Sequence, residues 1–448
     1  MNRRIFIQNT VLASAALGIL PISCAKAAPD TEYLILGGGI SGLFLANLLE
    51  KAGKDYILLE GSNRLGGRMF TRTDINRDVG GRGIGDKYDN LLPLINEVGA
   101  ELIDITDFMS APTAVYMNGE LKYPWPEGEI KPYIQQFMAL GKSDYLSGLD
   151  QWYQNKNMDE PYATFLKQKG LSDKEIELAD ISLNYNDIYK TSAINAHHSR
   201  AFGKYNGSKR ALNFKGGTIN FINKVVDTLK KPVLINKMIT QINDSGASVT
   251  VNCEDGSNYK AKKVICTLPF TTLRDVKMDA KINKNQSKAI KKLSYTNITQ
   301  IHLAHTENYW EIDDVPLDMW TDTPIERIMN MSSSPTEKQI ACWVNGKGTA
   351  FFDTMTENEI ADYTIKKINE IRPASKGKLE YLGTQNWGKY EYNKGAYVEF
   401  APGQAEWFLD MIKPAGNVHF AGEHTAHENR GMEAAAESAN RVYKELIS

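Results

Sequence analysis

Between Tyr33 and Thr73 the chain reads YLILGGGISGLFLANLLEKAGKDYILLEGSNRLGGRMFTRT, with glycines, an acid and arginines spaced to hold a dinucleotide. Gly37, Gly39 and Gly42 form Gly-x-Gly-x-x-Gly between an apolar strand, Tyr33 to Leu36, and an apolar helix entered through Ile40 and Ser41. Glycines let the backbone turn tightly and approach a pyrophosphate, which then accepts from the free N–H groups at the helix N-terminus. A second strand, Tyr56 to Leu59, ends at Glu60-Gly61, where a carboxylate can accept from ribose hydroxyls. A glycine turn alone says little. Strand, glycines, helix, strand and acid in this order specify a dinucleotide site.

The following residues choose the dinucleotide. Arg64, Gly66, Gly67 and Arg68 complete Glu-x-x-x-Arg-x-Gly-Gly-Arg. Two arginines can neutralise a diphosphate, and two glycines let the chain pass close to it. This stretch resembles the double-glycine extension of the flavin amine oxidases, a family that includes monoamine, polyamine and L-amino acid oxidases. The resemblance implies FAD and an α/β fold: a Rossmann-like FAD-binding domain of the glutathione-reductase type, interleaved with an α+β substrate-binding domain. It also extends to Gly80, Gly81 and Arg82 in a stretch that lines the flavin, and to Ile239, where adenine is held. Near the C-terminus, Val418 to Ala426 resembles the last FAD motif. There Gly422 and Glu423 fall on cofactor positions, and the helix from Met432 directs N–H groups at the flavin.

Flavin amine oxidation asks little of side chains, because the flavin takes a hydride equivalent from the carbon next to nitrogen. The protein holds the neutral amine and excludes water. In the family this falls to two facing aromatic rings and a lysine that holds a water. Asn386-Trp387, Gly395-Ala396-Tyr397 and Pro402-Gly403 resemble the segment carrying the first ring, which places Tyr397 in that role beside Trp387. Ala396 replaces the cysteine that attaches FAD in monoamine oxidases, so non-covalent binding is expected. Gly431 takes the second ring's position, and Gln300 the lysine's. An amide can hold a water but supplies no charge, which implies slow reaction with oxygen and electrons passing to O2 or another acceptor. Arg82 and Arg430 are candidates for gripping a substrate carboxylate with two parallel hydrogen bonds.

The elements that must position these residues recur along the chain. The expected division puts the FAD-binding domain at 30–105, 210–290 and 385–448, and the substrate domain at 106–209 and 291–384. A chain of 448 residues has room for both cores, and its net charge of −2 points to neither nucleic acid nor a strongly charged partner. Asn2-Arg3-Arg4, an apolar run from Thr10 to Ile22 and Ala25-Lys26-Ala27 resemble a twin-arginine export signal over 1–27. A periplasmic or secreted chain without a transmembrane span follows, with lipidation at Cys24 the weaker alternative. Cys253, Cys266 and Cys342 have no metal-like spacing, and no metal is expected from the histidines, among them His197-His198, His302, His419 and His424.

The leading expectation is an exported FAD-dependent oxidoreductase acting on a small amine or amino acid, with a redox acceptor protein as a further partner. Two alternatives share the scaffold: a desaturase of the phytoene-desaturase or protoporphyrinogen-oxidase type, and a flavin-bearing assembly protein without turnover.

Overall fold

The computed structural model describes residues 29–109, 111–124, 153, 156–202, 208–334 and 337–448. Residues 1–27, where the export signal is expected, with Cys24, and the side chain of His197 lie outside the described residues.

Two large sheets carry the fold. The first has eight strands, drawn from residues 31–59, 233–279 and 418–420. At its centre Thr31–Leu36 runs parallel to Tyr56–Leu59 on one side and to Asn258–Cys266 on the other. Both faces are covered, so these strands are apolar at nearly every position rather than alternating. Leu34, Leu36, Val264 and Cys266 enter one core, while Tyr33, Ile35, Tyr56 and Ile265 enter the other. Helix Ile40–Lys51 packs on the C-terminal helix Gly431–Ile447 over that second core. Cys266 is buried, and burial pushes its thiol up to about 12, which leaves it inert.

The second sheet has seven strands in the order Leu379–Asn386, Ile298–His305, Gln339–Asn345, Arg327–Asn330, Asp318–Thr321, Thr113–Met117 and Glu120–Lys122. Its side-chain period of two sorts the residues cleanly. Ile301, Leu303, Met319, Ile328, Ile340 and Cys342 share a core with Ile360, Ile368 and Ile371 of helix Glu357–Ile371. Gln300, His302, Trp343 and Arg327 therefore point to the opposite face. That face, with the glycine turns at the ends of the first sheet's central strands, bounds one cavity.

Element boundaries follow local chemistry. Helix Leu91–Glu97 begins where Glu433 accepts from the N–H groups of Asn90 and Leu91. Among the described residues no helix is long and apolar enough to cross a membrane.

Candidate active site

The glycine turn is built by close approach. Gly37 donates its N–H to Leu59 O at 2.7 Å, which ties the end of the first strand to the second. At Gly42 an added Cβ would lie 2.0 Å from Gly37 O. Gly42 therefore does not face the cavity; it lets helix Ile40–Lys51 start against the turn, so that Ile40 and Ser41 line the cavity. Glu60 is buried and already engaged. Its Oε2 accepts from Gly38 N–H at 2.7 Å, and its Oε1 accepts from the N–H and hydroxyl of Ser62 at 2.8 and 2.7 Å.

The arginines of the double-glycine stretch are also held. Arg64 donates to Tyr390 Oη at 3.0 Å and to Gly67 O at 2.8 Å, with its guanidinium 3.6 Å from the Phe70 ring centroid. Arg68 donates to Ala396 O at 2.7 Å and pairs with Glu423 at 3.1 Å, while Glu423 accepts from Val398 N–H at 3.2 Å. Thus the first glycine unit is joined through one ion pair to the Tyr397 segment and the C-terminal motif, more than 300 residues further along the chain.

The cavity is about 600 Å³. It is lined by Met238, Ile239 and Glu254, by the glycine turns, and by Gln300, Trp343, Trp387 and Tyr397. Trp387 is buried and donates Nε1–H to Val79 O at 2.9 Å. Tyr397 donates its hydroxyl to Asn184 O at 2.6 Å, and burial raises its pKa. Gln300 is buried, with Oε1 3.0 Å from His302 Nε2. Burial, with Arg82, Arg77 and Arg72 nearby, pushes His302 down to about 3. Below that pH alone would it carry charge, so it is neutral wherever an enzyme works. The rate–pH profile is expected to show no break from His302 between about pH 5 and 8. A break there that vanishes in His302→Gln would contradict this.

Every residue expected at the site lines this cavity except Gly42 and Arg430. Arg430 donates to Asn195 Oδ1 at 3.0 Å and lies 5.8 Å from the Phe400 ring centroid. Arg82 lines the cavity and donates to Met331 O at 2.8 Å. Among the described residues nothing lies within 4 Å of where a Cβ at Gly431 would sit. Its φ of +63° is left-handed, so the aromatic is not simply truncated. The backbone has taken a conformation that side chains disfavour.

Trp343 went unforeseen. It stands opposite Gln300 on the neighbouring strand and supplies an aromatic wall. Only the strand register reveals it, because 43 positions separate the pair in sequence.

Comparison with known proteins matches residues 40–447 to the family model of flavin containing amine oxidoreductases. An L-amino-acid oxidase of Echis ocellatus is 24% identical over 92% of this chain and 88% of its own length. The flavin-containing amine oxidase B of Homo sapiens is 22% identical over 93% of this chain and 86% of its own. Among solved structures, cyclohexylamine oxidase from Brevibacterium oxydans superposes with a TM-score of 0.77 at 17% identity, covering 93% of this chain and 99% of that one.

Proposed function

Since the chain belongs to the family of flavin-containing amine oxidoreductases, we propose that it binds FAD non-covalently and oxidises the C–N bond of a small amine or amino acid to an imine, which water then hydrolyses. The carrying observation is the continuous cavity that joins the glycine turns to Tyr397, Trp387 and Gln300. Its lining fits a dinucleotide: backbone turns too crowded for a Cβ, a helix N-terminus beside them, and two arginines.

In this reading the discontinuous domain formed by 30–105, 210–290 and 385–448 holds the cofactor, and 106–209 with 291–384 forms the substrate side. The N–H groups at Ile40 and Ser41, with Arg64 and Arg68, hold the diphosphate; Gly80 and Gly81 let the chain pass close by. Glu60 meets the ribose, Ile239 the adenine, and Glu423 with Met432 the flavin end. FAD, when bound, supplies a hydride acceptor. Tyr397 and Trp387 orient the neutral amine and exclude water, and the Gln300 amide holds one water. Electrons leave to O2 or another acceptor.

Ala396 supports non-covalent attachment: the cysteines of the described residues, Cys253, Cys266 and Cys342, are buried and none lines the cavity. Acid precipitation is expected to release the flavin into the supernatant; flavin retained in the pellet contradicts this. The products test the reaction: one carbonyl compound for each acceptor molecule reduced is expected, and a carbon–carbon double bond formed instead points to desaturation. Residues 1–27 act in this proposal as a twin-arginine export signal. The exported chain is expected to begin at Ala28, and a lipid-bearing Cys24 in the intact mass would overturn that.

A further inference from the structure

Arg327 carries a buried guanidinium, 3% exposed, that the proposed reaction does not use. Its Nη1 donates to Asn184 Oδ1 and its Nε to Trp343 O at 3.4 Å, while among the described residues Nη2 has no partner. No carboxylate lies within 4.0 Å of it among the described residues. Glu326 acts on it from further away, but Glu326 accepts from Asn345 N–H, and burial pushes its carboxyl up to about 7, so it is a partial counter-ion at best. A buried guanidinium without a counter-ion is costly, and an anion that completes it recovers that cost.

The location points to the anion's source. Arg327 sits on the same face of the second sheet, opposite Trp320 and in register beside Trp343, which itself faces Gln300; Trp343 and Tyr397 line the cavity, and Arg327 stands one layer behind them. It acts electrostatically on Tyr397, and both it and Tyr397 contact Asn184. Neighbouring strands lie about 4.8 Å apart, so Arg327 is roughly 10 Å across the sheet from Gln300. A carboxylate one bond from the reacting carbon does not span that distance; one several methylenes away does.

We propose that Arg327 binds an anionic group at the end of the substrate remote from its amine, which makes the preferred substrates ω-anionic amines rather than plain amines or α-amino acids. The inference rests on reading the cavity as an amine-oxidising site. In it the apolar middle of such a molecule lies along Trp343, and the anion passes beyond that wall to meet Nη2 one layer behind it.

The test compares δ-aminovalerate, pentylamine and norvaline as anaerobic reductants of the holoenzyme. Half-saturation for δ-aminovalerate is expected roughly 10- to 100-fold below that for pentylamine, the range for a charged hydrogen bond made or lost. Arg327→Met is expected to erase the difference by weakening δ-aminovalerate alone, and Arg327→Lys to restore part of it. Independently, calorimetric titration with glutarate is expected to show binding to wild type and none to Arg327→Met. Equal half-saturation in wild type, preference for norvaline, equal weakening of both reductants in Arg327→Met, or no glutarate binding to wild type would each overturn the proposal. Should no amine reduce the flavin while glutarate still binds through Arg327, the amine-oxidising reading fails and the anion site stands.

Discussion

Gly42→Ala is expected to yield a chain that purifies without its flavin. The new Cβ would lie 2.0 Å from Gly37 O and 3.2 Å from Gly37 C, atoms of the backbone that cannot swing aside. Relief requires helix Ile40–Lys51 to retreat from the turn, carrying the N–H groups of Ile40 and Ser41 off the cavity wall. The same helix packs on Gly431–Ile447, so the shift also spreads into the core. Overpacking of this kind costs about 1–3 kcal/mol. Flavin absorbance per chain and the urea midpoint report the two effects; full occupancy at an unchanged midpoint would show that the turn tolerates a side chain.

The second large effect concerns Gln300. Wild type is expected to reoxidise slowly in air, because Gln300, at the position the resemblance gives to a lysine, supplies a neutral amide and no charge. The surroundings are nevertheless positive: Arg82, Arg77 and Arg72 all act on His302, which contacts Gln300 directly. A lysine introduced by Gln300→Lys is then disfavoured in its charged form by burial and by these guanidiniums, so its pKa falls below the usual value near 10.4. It is charged below that lowered pKa and neutral above it. Stopped-flow reoxidation of Gln300→Lys is expected to accelerate as pH falls through this value, by roughly 100-fold at the plateau, as one well-placed charge in a buried site can achieve. Wild type is expected to stay flat over the same range. Rapid reoxidation of wild type, or a variant with no pH dependence, would contradict the role given to the amide.

What could be read from the chain and what could not divides along sequence distance. Gly37 to Arg68 is one contiguous strand–helix–strand unit, so its glycines, Glu60 and arginines were legible from order and spacing, and so was their convergence on one cavity. Tyr397 and Trp387, ten positions apart, were brought to the same place by the motif they share, and both line the cavity. Trp343 and Arg327 were not legible. Each acquires meaning only when antiparallel pairing sets it in a row with Gln300, and no local pattern announces that register. Arg430 was expected at the substrate, yet a residue just before a helix can point either way, and Asn195 and Phe400 hold it outside the cavity lining. At Gly431 the missing ring was legible, but the left-handed backbone beneath it was not.

The most direct test of the account is anaerobic mixing of the purified holoenzyme with a panel of amines, ω-amino acids and α-amino acids while flavin absorbance is followed. The account predicts that at least one amine bleaches the flavin and is recovered as its carbonyl product. A flavin that dithionite reduces but that no amine or amino acid bleaches would contradict it.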